Sequence, residues 1–197
     1  ERWYLEAPFV REEKVDVDGE VFSPKIASKG KIAYVKSRKT VGTIDLRSGK
    51  ITEIFNKPEY YSYHEDDMFL SWSPDSEWVA IEHNRFFRDD VYIARSDGKG
   101  EPVNITKSGY IDEKPYFTDD GKSIIWSSDR MGLRDYNVET AQSDIYRIFL
   151  SKEAFRRHRL SQEEKLLARD DSREIDNSTP KIVGEDVRHT IQKLTPF

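Results

Sequence analysis

A strand–turn–strand pattern occurs twice in the middle of the chain, at an interval of 45 residues. Residues 69–81 (FLSWSPDSEWVAI) and residues 114–126 (KPYFTDDGKSIIW) each combine two apolar runs with a polar turn between them. Trp72 of the first copy aligns with Phe117 of the second, 45 residues later. Repetition at a fixed spacing of this size indicates similar units that stack on one another.

A third copy of the pattern lies nearer the start of the chain. It covers residues 23–35 (SPKIASKGKIAYV), and its proline and glycine align with two residues of the last copy. Pro24 and Pro115 are 91 residues apart, as are Gly30 and Gly121, which is close to twice the shorter interval. Three copies in register predict three similar units.

The second half of each unit repeats as well, so that each unit holds four short strands. Residues 90–94 (DVYIA) precede a hairpin turn and residues 102–106 (PVNIT), and residues 42–54 repeat this order. Residues 144–148 (DIYRI) are the third match. Asp-Gly and Ser-Gly pairs in the turns tolerate positive φ, and the strands are rich in Ile, Val, Tyr and Trp.

Four-stranded units of about 40–45 residues are typical of propeller blades. The sequence therefore predicts an all-β fold, a partial β-propeller of about three to four four-stranded antiparallel blades. We place the first blade and flanking strands at 1–66, the second blade at 67–110 and the third at 111–197. A β-sandwich is the alternative, but it predicts no internal repeat of blade length. Because closed propellers use ~4–8 blades, the segment is expected to be an arc of a larger ring.

Two insertions interrupt the third unit. The connection at residues 127–143 is nine residues longer than its counterpart, and residues 151–186 replace a short hairpin. Within the larger insertion, Ser151 is expected to cap one short helix, and the spacing of Ser161 and Glu164 predicts a second, over residues 163–169. An apolar stripe of Phe155, Leu160, Leu166 and Leu167 is expected to dock on the blade, and residues 187–195 are expected to resume a strand.

Specific motifs resemble the propeller region of tricorn-like serine peptidases, whose repeats are of the TolB-like kind. These motifs are the turn at 73–76 (SPDS) before residues 78–81 (WVAI), residues 128–130 (SDR) after Trp126, and residues 144–164 (DIYRIFLSKEAFRRHRLSQEE). The resemblance covers residues 69–197 well and the first unit weakly. It implies a peptidase domain, with its nucleophilic serine, downstream of Phe197, and a longer parent chain.

Composition excludes several classes of protein. The 197 residues include no cysteine, which excludes disulfides and thiolate metal sites. Lys and Arg total 32 against 37 Asp and Glu, a net charge of −5 without basic tracts, which argues against nucleic acid as a partner. No apolar run approaches the ~18 residues that a membrane span needs.

Three residues are candidates for contact with a peptide or partner. Arg130 ends the strand that contains Trp126, and its planar guanidinium could anchor a substrate carboxylate. The alternative is a local bond between Arg130 and an acid that orders the loop. Tyr60 and Tyr61, in an aromatic run, could form a peptide-binding patch or an interblade packing segment.

The sequence predicts no catalytic, cofactor-binding or metal-binding residue in this segment. It contains no Gly-x-Ser-x-Gly motif. Residues 63–67 (YHEDD) gather an imidazole and three carboxylates but lack the spacing of zinc or calcium sites, so a solvated loop is expected. His83 could face a channel, although we expect it to end a strand after Ile81. The basic run at 156–159 is expected to be a solvated helix face.

The resemblance implies a non-catalytic scaffold that gates or docks peptide substrates for a downstream peptidase domain. Its partners would then be the remaining blades, the peptidase domain and the peptide or protein substrate. One alternative is a TolB-like module for protein–protein assembly without a peptidase. A weaker one is a propeller attached to a prolyl-oligopeptidase-type hydrolase. We expect a periplasmic or extracytoplasmic location, with the cytoplasm as the alternative.

Overall fold

The protein, seen in a computed structural model, folds mainly into antiparallel β-sheet. The structure describes residues 14–57, 68–85, 88–132, 142–171 and 187–195. Within these ranges twelve strands form three four-stranded sheets, and in each sheet the strands lie side by side in chain order. This arrangement confirms the prediction of a partial propeller with a short helical insertion.

The strands of the three sheets are as follows. Sheet 1 contains β1 (Val21–Ile26), β2 (Lys31–Lys36), β3 (Thr40–Asp45) and β4 (Ile51–Asn56). Sheet 2 contains β5 (Leu70–Trp72), β6 (Trp78–Arg85), β7 (Arg88–Arg95) and β8 (Val103–Asn104). Sheet 3 contains β9 (Asp112–Phe117), β10 (Ser123–Ser128), β11 (Asp144–Phe149) and β12 (Gln192–Lys193).

The sequence repeat corresponds to a structural repeat. Trp72 pairs with Val79 across the first hairpin of sheet 2, and Phe117 pairs with Ile124 at the same place in sheet 3. The turns between these strands form the same hydrogen bond. In sheet 2, Asp75 Oδ1 accepts a hydrogen bond from the Glu77 amide at 3.0 Å. In sheet 3, Asp120 Oδ1 accepts one from the Lys122 amide at 3.0 Å.

The first hairpin of sheet 1 is one residue shorter than the other two. Its closing hydrogen bond runs from the Ala27 amide to the Lys31 carbonyl, whereas in sheet 2 the Ser73 amide reaches the Trp78 carbonyl. Lys31 therefore occupies the place of Trp78, and Ala33 that of Ala80. Side chains alternate between the two faces of a strand. This alignment of sheet 1 with sheet 2 therefore determines which side chains of each sheet face the neighbouring sheet.

The three sheets stack through two apolar clusters, one on each side of sheet 2. Ala33 and Val35 of sheet 1 pack against Val79 and Ile81 of sheet 2. Ala80 and its neighbours on the opposite face of sheet 2 pack against Ile124, Trp126 and Ile148 of sheet 3. We call the side of a sheet that points toward the next sheet in the chain its forward face.

Polar contacts join the sheets at the edges of these clusters. The Trp72 indole Nε1 donates to the Lys25 carbonyl of sheet 1 at 2.9 Å, and the Ser71 hydroxyl donates to the Pro115 carbonyl of sheet 3 at 2.6 Å. Lys31 Nζ donates to the Ser76 carbonyl at 3.0 Å across the first junction. These contacts satisfy backbone carbonyl groups where the sheets meet.

The insertion in sheet 3 contains the two predicted helices, α1 (Lys152–Arg159) and α2 (Gln162–Asp171). Ser151 caps α1 through a 3.1 Å bond from the Ala154 amide. Ser161 and Glu164 form the predicted capping box, because each side chain accepts a hydrogen bond from the other residue's amide. No helix among the described residues is both long and apolar enough to cross a membrane.

Two details of the insertion differ from the prediction. Leu166 and Leu167 do not dock on the blade, because they are 61% and 71% exposed, whereas α1 contacts β11. Residues 187–195 are not one strand, since a 3-10 helix (Arg188–Thr190) precedes the two-residue β12. The Thr190 hydroxyl bonds the Phe149 backbone, so this turn takes up the edge of β11 that a longer strand would have paired.

Candidate functional site around Arg130

Of the three predicted contact residues, the structure describes only Arg130. It lies just beyond β10, where β9 and β11 begin, and its side chain is 16% exposed. Tyr60 and Tyr61 lie outside the described residues, as do residues 63–67. Contact of all three with a peptide or partner stays a prediction.

A buried carboxylate holds the Arg130 guanidinium. Arg130 Nη2 lies 3.2 Å from Asp112 Oδ2 and 3.3 Å from Oδ1, and the Asp112 side chain is completely buried at the start of β9. The same carboxylate accepts hydrogen bonds from Trp126 Nε1 at 2.8 Å and from the Ser108 hydroxyl at 2.5 Å. Three donors therefore compensate the burial of this charge.

Three aromatic rings surround the guanidinium of Arg130. Its central carbon lies 5.3 Å from the ring centre of Tyr146, 5.5 Å from that of Trp126 and 5.7 Å from that of Tyr110. The electron-rich faces of such rings attract a cation at these distances. The side chain is thus fixed by one carboxylate and three rings drawn from β9, β10, β11 and the connection before β9.

Three polar atoms beside this pair have no hydrogen-bond partner among the described residues. They are Ser128 Oγ, Arg130 Nε and Tyr146 Oη, and all three are shielded from solvent. Burial raises the pKa of the Tyr146 phenol, and the Asp144 charge raises it further, so the phenol stays protonated and can donate. These three atoms can therefore form hydrogen bonds with a water molecule or with a small polar group of a ligand.

The geometry limits what Arg130 can do as an anchor. A peptide carboxylate that approached it would have to share a guanidinium that Asp112 already neutralises. The ion pair is the local acid–arginine bond that the sequence offered as the alternative, although its acid is Asp112 from the neighbouring strand. The edge of the guanidinium and the Tyr110 ring, which lies in a residue 37% exposed, are what a partner would contact.

A second polar arrangement repeats in sheets 2 and 3 and closes their outer strands. The Thr106 hydroxyl donates to Asp90 at 3.3 Å, and the Thr195 hydroxyl donates to Asp144 at 2.6 Å. Lys193 Nζ lies 2.9 Å from Asp144, and the bonds from Thr195 and Lys193 lower the pKa of this carboxyl. These aspartates therefore stabilise strand pairing, which indicates a structural rather than a catalytic function.

Sequence reasoning missed Glu82, a buried acid at the junction of sheets 2 and 3. Its Oε2 accepts a hydrogen bond from the Lys114 amide at 2.7 Å, and burial raises its pKa to about 8. The alternation of β6 contained the signal, since Glu82 shares a face with Trp78 and Ala80. An acid on that face must either be bonded or be protonated.

The predictions for His83 were wrong. The strand does not end after Ile81, because β6 continues to Arg85. The imidazole is buried and packs edge-on against Phe55 at 4.8 Å and Tyr92 at 5.4 Å, so it belongs to the core between sheets 1 and 2. The prediction for the basic run of α1 is confirmed, since Glu153 pairs with Arg157 at 2.8 Å and with Arg156 at 3.5 Å on an exposed helix face.

Solved structures resemble this fold at low sequence identity. Tricorn protease matches 90% of the chain with a TM-score of 0.60 and 18% identity, and the match covers 17% of that protein. TolB from Acinetobacter baumannii matches 68% of the chain with a TM-score of 0.51 and 23% identity, and the match covers 31% of that protein. No protein-family model matches the chain.

The chain therefore spans less than a third of either structure that it resembles. At these identities the likeness establishes the fold alone. Both comparisons agree with the stack of four-stranded sheets and with the motifs of the sequence. The chain is a partial β-propeller of the kind found in tricorn protease and TolB.

Proposed function

We propose that the chain is the non-catalytic propeller portion of a tricorn-like serine peptidase. In this proposal it serves as a scaffold and as a gate or docking surface for peptide substrates, while a downstream domain carries out proteolysis. The observation that supports it best is the likeness to tricorn protease over 90% of the chain. Rigid sheets with functional loops at their ends are suited to such a task.

The buried polar groups described above support a structural role for this segment. Three carboxylates form hydrogen bonds or ion pairs within or between the sheets, namely those of Asp90, Asp112 and Asp144. Nucleophilic catalysis needs a serine within hydrogen-bond reach of a base, and the proposal assigns that chemistry to the downstream domain of the parent.

The test compares the full-length parent with this segment on an unfolded peptide substrate. We expect cleavage by the parent and none by the segment, measured by mass spectrometry of the products. Cleavage by the purified segment would refute a non-catalytic role. Absence of cleavage by a folded parent under all conditions would refute the peptidase assignment.

The alternative is a TolB-like binding module for protein–protein assembly, without any peptidase in the parent. The likeness to TolB from Acinetobacter baumannii favours it specifically. The sequence after Phe197 separates the two proposals. A downstream domain with a serine nucleophile supports the first, and further repeats alone support the second.

Arg130, Tyr60 and Tyr61 are the proposed points of contact with a peptide or partner. Replacing Tyr110 by Leu, which removes the exposed ring beside Arg130, should weaken capture of an unfolded substrate by the parent without unfolding the segment. The proposed location is periplasmic or extracytoplasmic, with the cytoplasm as the alternative. Fractionation of cells that produce the tagged parent tests it.

A further inference from the structure

The forward face of sheet 3 differs from those of sheets 1 and 2. In the first two sheets this face is mainly apolar and the next sheet covers it. In sheet 3 the corresponding face carries Ile145, Arg147 and Phe149 of β11. Ile145 is 38% exposed.

Helix α1 covers one part of this face. Phe149 is only 5% exposed because Phe155 lies 5.6 Å from it and His158 lies 4.8 Å from it, ring centre to ring centre. Beside this contact a cleft of about 470 Å³ opens between α1 and the first hairpin of sheet 3. Phe149 and Ala154 form its apolar wall. A cleft of this size accommodates several side chains, since ligand pockets are typically ~300–1,000 Å³.

The cleft carries an excess of positive charge from four separate elements. Its basic residues are Lys122 of the hairpin, Arg147 of β11, Arg157 of α1 and Lys165 of α2, against Asp119 and Asp120. Asp120 already accepts hydrogen bonds from the Thr118 hydroxyl and the Lys122 amide. Among the described residues no acid lies within ion-pair distance of Lys122, Arg147 or Lys165.

Compensation of these cations is partial, because the charges of Lys122 and Arg147 help to lower the pKa of Asp120, and Glu153 pairs with Arg157 at 2.8 Å. Arg147 Nε is shielded from solvent and has no hydrogen-bond partner among the described residues. Burial lowers the pKa of His158, and the charges of Arg147 and Lys165 lower it further. A neutral His158 can line the wall beside Phe149, while the cations remain available to an anion.

The same face of sheet 1 donates hydrogen bonds to backbone carbonyl groups of the neighbouring sheet. Thr43 donates a hydrogen bond to the Ser96 carbonyl at 2.8 Å, and Lys31 Nζ donates to the Ser76 carbonyl at 3.0 Å. Thr43 pairs with Ala33 as Arg147 pairs with Ile125, so Arg147 occupies the place of Thr43. The forward faces of sheets 1 and 2 are both covered by polypeptide. In sheet 3 the residue in the place of Thr43 is the cation Arg147.

We propose that this cleft binds an acidic segment of a partner polypeptide, with side-chain carboxylates on Arg147 and Lys165 and an apolar side chain against Phe149. A guanidinium fork matches a carboxylate in geometry, and a partly desolvated pair of this kind is stronger than an exposed one. The proposal stands whether or not the parent contains a peptidase. Loss of peptide binding in a longer chain that includes the next blade would instead assign this part of the face to that blade.

The test titrates the 197-residue chain with two labelled peptides, acetyl-Glu-Glu-Leu-Glu-Glu-amide and its Gln counterpart, by fluorescence anisotropy at low salt. We expect saturable binding of the acidic peptide and at least about tenfold weaker binding of the Gln peptide. Arg147→Gln should weaken the acidic peptide about tenfold, and Lys165→Gln about three- to fivefold. Arg156→Gln is the matched control, because it removes the same charge from α1 outside the cleft, and it should change binding less than about twofold.

Several outcomes would overturn the proposal. Equal binding of both peptides, or equal losses in Arg147→Gln and Arg156→Gln, would show that net charge and not the cleft is responsible. Inorganic phosphate that competes at the affinity of the peptide would make the site a general anion site. Self-association that depends on Arg147 would assign the face to a second copy of the chain. If Arg147→Gln fails to fold by thermal melting, Lys165→Gln on the exposed helix α2 decides.

Discussion

Asp112 joins several stretches of the chain at one end of sheet 3. Its carboxylate joins Arg130, Trp126 and Ser108, which belong to three different stretches of the chain. A neutral amide at this place could not balance the largely buried guanidinium. The ion pair therefore fixes the end of sheet 3 at which Arg130 is displayed.

We expect Asp112→Asn to destabilise the fold by about 2–4 kcal/mol, because it leaves Arg130 without its counter-charge in a mostly buried position. Urea unfolding followed by circular dichroism measures the loss. Asp18→Asn is the control, since the Asp18 side chain is fully exposed and 3.8 Å from Lys36, and it should leave the unfolding midpoint unchanged. Equal midpoints for the two variants would contradict a structural role for the pair.

Glu82 should make stability depend on pH between about 4.5 and about 8. Its pKa is raised by burial from the ordinary 4.5 to about 8, so the folded protein binds this proton more tightly than the unfolded chain. The contribution is fully present below pH 4.5 and is lost as the pH rises to about 8.

The difference in unfolding free energy between wild type and Glu82→Gln isolates this term. It should fall by up to a few kcal/mol as the pH rises through that window and then stay constant. Glu101→Gln, at an exposed position after β7, gives the reference difference. A flat difference for Glu82→Gln would mean that the acid is already ionised in the fold at low pH.

At the scale of elements, the hairpins account for the success of the sequence analysis. Ser73 and Asp75 bond within one turn, and Thr118 and Asp120 repeat those bonds in the next, so local sequence determines both turns. The helix caps at Ser151 and Ser161 were predictable for the same reason. Contacts within three or four residues leave a direct signal in the sequence.

The elements that the sequence mispredicted depend on distant partners. His83 lies in the core because Phe55 of sheet 1 packs on it, whereas Leu166 of α2 is left 61% exposed. Arg130 was recognised as a candidate, but its partner Asp112 is 18 residues away across a strand pair. Such contacts require the register of the sheets, which a single sequence does not supply.

The first hairpin of sheet 3 provides a test at this scale. Gly121 has φ +66°, a conformation that costs an L-residue about 1 kcal/mol or more, and a Cβ there would meet Pro74 only at an ordinary 3.5 Å. We expect Gly121→Ala to destabilise the fold by about 1 kcal/mol through backbone strain alone. Gly109→Ala, where nothing lies within 4 Å and φ is not positive, should have little effect in the same urea titration.

At the scale of the molecule, sheet 2 couples the other two. One apolar cluster joins it to sheet 1 and the other joins it to sheet 3. Loss of either cluster exposes one face of sheet 2 and weakens its hold on the remaining neighbour. The three sheets should consequently unfold together.

We expect Ile81→Ala and Ile124→Ala, one in each cluster, to lower the free energy of unfolding by about 2–4 kcal/mol each. Both variants should keep a single transition that is the same by tryptophan fluorescence and by circular dichroism. Two separate transitions, of which each variant shifts only one, would show that the sheets are independent units.

The position of sheet 2 between two partners also determines which backbone amides are protected longest. Those of β6 and β7 lie within a ladder that is flanked on both sides by apolar packing. They can exchange their hydrogens with deuterated solvent only when both clusters have separated. The middle of the chain, far from either terminus, should therefore be the last region of this protein to take up deuterium.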